Sequence, residues 1–214
     1  MTDEICRGYH ATARKNISSI LDNKFIISKS GKHHWLGKGV YFFEDIYYAI
    51  EWQLLGVLKK KNIEYDKLVE KSGIIVSEID TSNYSMLDLS NPYGFSIFQE
   101  LLIKIKEYYG EEKYEEYKQK GDKFLIDLLE ELEEQKNIKL LSNFDIISAE
   151  YPKWMTKEKN VSGNFIKCIQ KQICVKNINA IVKSDEYTDD EVIKSNYELI
   201  LKNRGNAKWL MILN

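Results

Sequence analysis

Two short segments near the N-terminus carry the residue types best suited to binding chemistry. The first closes an apolar stretch with His10, Ala11 and Thr12, and the second reads GKGVYFF from residue 37 to residue 43. Two glycines around one lysine let the chain turn tightly and let a bound molecule approach the backbone closely. A histidine supplies a hydrogen bond, and Tyr41 supplies a ring face for stacking. We therefore expect these segments to bind a flat, charged ring attached to a sugar.

Each segment alone also has an ordinary structural explanation. A single histidine in a strand is more often a core residue with satisfied hydrogen bonds, and paired glycines mark hairpin turns in general. The two segments occur in this order and are followed by an acidic helix cap and an aromatic-rich helix. Core packing accounts poorly for that combination, which favours a functional site.

The composition is that of an ordinary soluble globular protein. The chain has 214 residues, of which 30% are charged and 43% hydrophobic, enough for one domain with a substantial core. A formal net charge of −2 gives no overall attraction to nucleic acid. The three cysteines, Cys6, Cys168 and Cys174, have no metal-ligand spacing, and their odd number favours a reducing compartment. The N-terminus is polar and no long apolar run follows, so we expect a cytoplasmic protein that does not enter a membrane.

Hydrophobic periodicity and turn residues predict one α+β domain. The predicted strands cover residues 5–9, 25–27, 37–43, 73–79, 86–89, 165–175 and 180–183. The predicted helices cover residues 13–22 with Thr12 as the N-cap, 45–59 with Asp45 as the N-cap, and 188–203. Two or three further helices with solvated, charged faces occupy Ser96 to Lys136, a long polar loop covers 151–164, and the C-terminal 209–213 reads as a strand or a buried tail.

The segment GKGVYFFEDIYYAIEW resembles the GKGIYFA-type segment of poly(ADP-ribose) polymerases and their mono-ADP-ribosyltransferase relatives. The preceding YHAT resembles the HG[ST] segment of the same family. The resemblance is strong over residues 8–52 and moderate over 165–182. It implies an ADP-ribosyltransferase-like core, a split mixed β-sheet flanked by helices, with a helical insertion at about 96–136 in a single domain spanning 1–214. It also implies NAD as co-substrate and no metal.

The resemblance assigns roles to residues of the donor site. His10 would hydrogen-bond a ribose hydroxyl of NAD, and Thr12 would contact the ribose. Ala11 stands where the family has a glycine whose backbone binds the nicotinamide amide. Tyr41 would stack on the nicotinamide ring, and Trp52 aligns with a second stacking aromatic residue.

The resemblance also assigns a role to the loop at residues 28–36, and it is less complete at Ala49. Ser28 begins a loop, residues 28–36, that would lie beside the adenosine and the diphosphate, together with Ser30, Lys32, His33, His34 and Trp35. Ala49 falls where the polymerases keep a serine that binds nicotinamide. His33 and His34 have no carboxylate or cysteine at a spacing suited to a metal site.

Gln172 is the best match to the third catalytic residue of the family, which is usually a glutamate. A carboxylate there holds the ribose and stabilises positive charge as nicotinamide leaves in an oxocarbenium-like transition state. An amide still accepts the hydrogen bond but carries no full charge. The alternative is that Gln172 is an ordinary polar residue of a strand.

Target recognition is assigned to the region around this strand. Gln170 lies two residues earlier on the same face, an offset that belongs to target recognition in toxin-like branches of the superfamily. Trp154 lies in the 151–164 loop with Lys153, Lys157 and Lys159, where it would meet a base, a phosphate or an acidic protein. The alternative is that these lysines serve only solubility.

These features together predict a mono-ADP-ribosyltransferase acting on a macromolecular acceptor, either protein or nucleic acid. Small stand-alone domains of this kind are commonly toxins or phage-defence effectors, which implies an antitoxin or immunity protein as a partner. The alternatives are an NAD glycohydrolase, a catalytically weak or inactive module that binds NAD or ADP-ribose, and an RNA 2′-phosphotransferase. The last should have arginines in its site, and only Arg7 and Arg14 are close in sequence.

Overall fold

The architecture is given by a computed structural model that describes residues 5–27, 34–59, 63–154 and 167–206. Within these ranges the side chains of residues 152–154, 167–168 and 204–206 are not described. Within the described residues there are seven strands, β1 (Ile5–Ala13), β2 (Val40–Phe43), β3 (Ser72–Asp80), β4 (Met86–Asp88), β5 (Ile146–Trp154), β6 (Lys167–Val175) and β7 (Ile181–Glu186). They form one sheet in the order β4-β5-β6-β2-β1-β3-β7.

The sheet is mixed, because β4 and β5 run parallel while the other neighbouring strands are antiparallel. The helices are α1 (Ile17–Asn23), α2 (Ile46–Trp52), α3 (Tyr65–Lys71), α4 (Pro92–Tyr109), α5 (Glu111–Lys120), α6 (Asp122–Lys136) and α7 (Asp190–Asn206). The prediction of an α+β protein with helices flanking a mixed sheet is confirmed. No helix among the described residues has the length and apolar character needed to cross a membrane.

The predicted helical middle consists of α4, α5 and α6. Asn91 caps α4, since its side chain accepts a hydrogen bond from the Gly94 amide at 2.7 Å. On α5 the charged residues are exposed or half-buried, and Tyr114 is the buried one. Helix α6 differs, because its leucines at 125, 128, 129 and 132 all lie in the core. Most of the charge of this region lies on its outer surface, and Glu130 of α6 is a buried exception.

Several predicted boundaries were wrong, and β5 was not predicted: its residues 151–154 fall within the predicted loop 151–164. Thr12 does not cap a helix: it lies inside β1, registered against Gly73 of β3, and the chain then makes a 3₁₀ turn at Arg14–Asn16 before α1. Residues 25–27 form no strand, and Ile26 is 88% exposed. Asp45 does cap α2 by accepting from the Tyr47 amide at 2.8 Å. That helix ends at Trp52, however, and continues as a π-helical turn at Gln53–Val57.

The centre of the sheet opens between β1 and β2. Strand β1 pairs with β3 along its whole length, and β2 pairs with β6 from Val40 to Phe43. Within these described strands, β1 and β2 share only the registered pair Tyr9–Phe43. The two strands are therefore neighbours at one end and diverge beyond it, which opens the sheet between them.

Candidate ligand-binding cleft

A cavity of about 560 Å³ lies where β1 and β2 diverge. That volume is within the range of ~300–1,000 Å³ typical of small-molecule sites. Residues from β1, β2, β6 and the α2 region meet in its wall, although they are far apart in sequence. The predicted residues that line it are His10, Ala11, Thr12, Tyr41, Trp52 and Gln172.

His10 bridges the gap between the diverging strands. Its Nδ1 atom donates a hydrogen bond to the carbonyl oxygen of Tyr41 at 2.8 Å, so the other ring nitrogen, Nε2, carries the lone pair when the ring is neutral. The ring also meets Phe25 edge-on, with centroids 5.1 Å apart. Burial lowers the pKa of His10 below its ordinary value. A neutral imidazole that lines the cavity can therefore accept a hydrogen bond from a sugar hydroxyl.

Tyr41 is fixed by both its ring and its hydroxyl. The hydroxyl donates to the Gly37 carbonyl at 2.7 Å and accepts from the Leu36 amide at 2.8 Å. Burial raises the pKa of Tyr41, which keeps the phenol protonated and able to donate. His34 stacks on the Tyr41 ring, with centroids 5.0 Å apart and planes 22° apart. The stacking surface predicted for a ligand ring is thus already used by a side chain that also lines the cavity.

The glycines of the GKG segment approach the protein's own side chains. Gly37 has a φ of +83°, and a Cβ atom there would lie 2.2 Å from the Glu130 carboxylate. A Cβ atom at Gly39 would lie 2.4 Å from the Cys174 sulfur. The sequence predicted close approach to a bound molecule, and Gly39 does line the cavity. Packing against α6 and β6 is nevertheless a sufficient reason for both glycines.

Trp52 reaches the cavity from the end of α2. Its ring lies over Gly56, where a Cβ atom would be 2.3 Å from the ring, and its centroid is 6.4 Å from that of Phe43. The π-helical turn that follows places Val57 in the cavity lining as well. Turns of this type are rare and are often found at functional sites.

Gln172 lies on β6 between Phe43 of β2 and Ala149 of β5. The residue is 9% exposed, and its Oε1 atom has no hydrogen-bond partner among the described residues. A buried acceptor without a partner costs about 1–3 kcal/mol. Because the terminal torsion of glutamine is broad, a modest rotation can turn this oxygen toward a ligand in the cavity. This arrangement favours the functional interpretation of Gln172 over the ordinary one.

Other predicted residues lie elsewhere. Gln170 is buried at 7% exposure beside Tyr151 and does not line the cavity. Ala49 is fully buried in the core rather than facing the cleft. Ser28, like residues 30–33 and 155–164, falls outside the described residues. Trp154 ends β5, but its side chain is not described.

Sequence reasoning missed a polar edge of the cavity formed by Asn16, Ser19 and Lys24. Asn16 and Ser19 are one helical turn apart, so they share a face. That spacing could have indicated them once α1 was placed beside β1. Lys24, which has a φ of +67°, supplies a positive charge for an anionic group.

The described lining of the cavity carries no negatively charged side chain. It contains histidine, lysine, amide and hydroxyl groups but no aspartate, glutamate or arginine. Glu44, which follows β2, is ion-paired with Lys171 at 3.3 Å. Arg7 is exposed, and Arg14 pairs with Glu186 and with the Val69 carbonyl. The described residues also contain no cluster of His, Cys, Asp or Glu able to hold a metal ion.

The sequence of this chain is similar to that of an archaeal protein over most of its length. The chain is 27% identical, over 203 aligned residues, to an uncharacterized protein of the archaeon Methanocaldococcus jannaschii. The match covers 86% of this chain and 88% of that protein. No family model matches the sequence. No solved structure matches it significantly.

Proposed function

We propose that the cleft binds NAD and that the protein transfers a single ADP-ribose unit from NAD to a protein or nucleic-acid acceptor. The observation that carries this proposal is the convergence of His10, Tyr41 and Gln172 on one cavity, at the opening between β1 and β2. His10 and Tyr41 match the family motifs in the sequence, and Gln172 stands at the best match to the third residue, where the family usually has a glutamate. An ADP-ribosyltransferase-like arrangement of the sheet is part of the proposal.

The side chains that line the cleft are suited to the ribose, diphosphate and nicotinamide groups of NAD. His10, neutral because of burial, would accept a hydrogen bond from a ribose hydroxyl through Nε2. Gln172 would gain its missing donor from a hydroxyl of the nicotinamide ribose. Lys24, Asn16 and Ser19 would face the diphosphate. Tyr41 and Trp52 would flank the nicotinamide ring, with His34 either retained in the stack or displaced from it.

NAD supplies a ribose–nicotinamide bond that breaks with its electron pair leaving on nicotinamide, while the acceptor's nucleophile bonds to the same ribose carbon and releases its proton. The chain's contribution is to hold the ribose, exclude water and orient the ring. Gln172 offers an amide dipole where a carboxylate would offer full charge, so its stabilisation of positive charge is weaker. By analogy with the family, the absence of the glutamate favours single transfer over chain building.

A catalytically inactive module that binds NAD or ADP-ribose is the second candidate. The specific observation in its favour is that the described cavity lining contains no carboxylate.

The test is incubation of cellular protein, RNA and DNA with labelled NAD and the chain, read by intact mass, beside calorimetric titration with NAD, nicotinamide and ADP-ribose. We expect NAD to bind and one acceptor class to gain the mass of one ADP-ribose unit. In His10→Ala this transfer should fall at least tenfold, which corresponds to a loss of about 1.4 kcal/mol of transition-state stabilisation. Binding without any product would indicate the inactive module, and free ADP-ribose would indicate hydrolysis. If none of the three ligands binds, the proposal is wrong.

A further inference from the structure

Helix α6 makes contact with the turn that carries Tyr41. Glu130 of α6 is 6% exposed, and its Oε1 atom accepts hydrogen bonds from the Lys38 amide at 2.7 Å and from Lys176 Nζ at 3.0 Å. A buried carboxylate is costly unless it is paired and hydrogen-bonded, and here both conditions are met. Glu130 thus connects α6 to the backbone of the GKG segment.

The same turn is held from the other side by Tyr41. Its hydroxyl bonds to the Gly37 carbonyl and to the Leu36 amide, so Tyr41 and Glu130 hold the carbonyl and the amide of the same Gly37–Lys38 peptide. The Gly37 amide also bonds to the His34 carbonyl at 3.4 Å, and His34 stacks on Tyr41. Any movement of the turn would therefore shift both rings of the stack in the cavity.

We infer that Glu130 is a positioning residue for the cleft and that the helical middle, through it, sets where the Tyr41 ring lies. Gly37 is part of this device, because its positive φ and missing Cβ let the carboxylate approach the turn. Glu130 does not line this cavity. The effect on ligand affinity rests on the proposed function, whereas the effect on the turn does not.

Glu134 gives a matched control. It lies one turn further along α6 and forms an ion pair with Lys38 through the lysine side chain, but its own side chain is 67% exposed. Glu134→Ala therefore removes a carboxylate from the same helix without removing the bond to the Lys38 amide. Glu130→Gln keeps a hydrogen-bond acceptor of the same shape, so it serves if Glu130→Ala does not fold.

The experiment is amide hydrogen exchange at Leu36 and Lys38, with amides of β3 as the reference, combined with calorimetric titration of NAD and nicotinamide. In Glu130→Ala we expect exchange at Leu36 to accelerate at least tenfold relative to β3, and ligand affinity to fall at least tenfold. Glu130→Gln should show smaller effects of the same sign, and Glu134→Ala should behave as wild type.

Unchanged exchange at Leu36 in both Glu130 variants would overturn the inference. So would accelerated exchange with undiminished affinity, since the turn would then not position the cleft. If the wild-type protein binds neither ligand while exchange at Leu36 still accelerates, the proposed function fails and the positioning of the turn by Glu130 stands.

Discussion

Gln172 combines burial in the middle of a sheet with an acceptor oxygen that no described residue satisfies. Strand positions of this kind are usually apolar, because an unpaired buried polar group costs stability. A binding site commonly retains an unsatisfied polar group despite this cost, because replacing the group would raise stability but impair function. Gln172 can therefore be tested for a structural role and a binding role separately.

We expect Gln172→Met to raise the free energy of unfolding by about 1 kcal/mol, because it removes an unsatisfied acceptor while conserving volume. The same variant should lose NAD binding. Gln53 provides the control: it is 3% exposed, its Oε1 atom is also unpaired among the described residues, and it does not line the cavity. Gln53→Met should therefore gain similar stability and keep its affinity. Denaturant unfolding and calorimetric titration measure both effects, and undiminished NAD binding in Gln172→Met would exclude a binding role.

Gln172→Glu should increase the cleavage of NAD. A carboxylate at this position would stabilise positive charge on the ribose, and charge-assisted hydrogen bonds are roughly twice as strong as neutral ones. Transfer to an acceptor should be measured separately from release of nicotinamide, since a new negative charge repels an acidic acceptor. Cleavage at or below the wild-type rate would show that the amide is not a weakened form of the family's glutamate.

His10 should make stability depend on pH. Burial lowers the pKa of His10 from its ordinary value of 6.5, so the unfolded chain binds a proton there at a higher pH than the folded chain. The folded state should therefore lose stability as the pH falls below about 6.5, by at most about 1.4 kcal/mol per pH unit for one proton. We expect this part of the pH dependence to be absent in His10→Gln. Identical pH profiles of unfolding for the two proteins would contradict the assignment of His10 as a half-buried, neutral imidazole.

The π-helical turn after α2 packs against the Trp52 ring through Gly56. Glycine to alanine in a helical segment ordinarily adds about 1 kcal/mol of stability. A Cβ atom at Gly56 would, however, lie 2.3 Å from the Trp52 ring, so the ring must move. Trp52 lines the cavity, and its displacement should change the shape of the ligand site.

Gly56→Ala should therefore give no gain in stability, alter the tryptophan fluorescence and weaken NAD binding several-fold. In a Trp52→Ala background the clash is absent, and the same substitution should give its ordinary gain. Thermal unfolding of the four proteins measures this coupling. Additive effects of the two substitutions would mean that Gly56 does not set the position of the Trp52 ring.

The helical middle, residues 92–136, is part of the core of the protein rather than a removable addition. More than half of the buried residues in the cluster on the α4–α6 side come from residues 98–132, and they pack with Leu87, Ile147 and Cys174 of the sheet. Replacement of residues 92–136 by a flexible linker should therefore abolish cooperative unfolding.

Replacement of α5 alone is the matched comparison, because that helix buries only Tyr114 among its residues. The α5 variant should fold with reduced stability, which circular dichroism during thermal unfolding can measure. A soluble, cooperatively folding protein without residues 92–136 would show that the sheet and its other helices suffice.

The sequence by itself determined the features that depend on local patterns. Alternation and periodicity placed most strands and helices, Asp45 was identified as a cap, and two short motifs selected His10 and Tyr41. The tertiary structure alone decided how these features meet. His10 bonds to the Tyr41 carbonyl across 31 residues, and Glu130 reaches the Lys38 amide across 92. Thr12 and residues 25–27 were misjudged because strand ends depend on the partner available, which local propensity does not encode. The opening between β1 and β2 follows from strand pairing, and the Gln172 oxygen that no described residue satisfies follows from burial; both are properties of the folded chain.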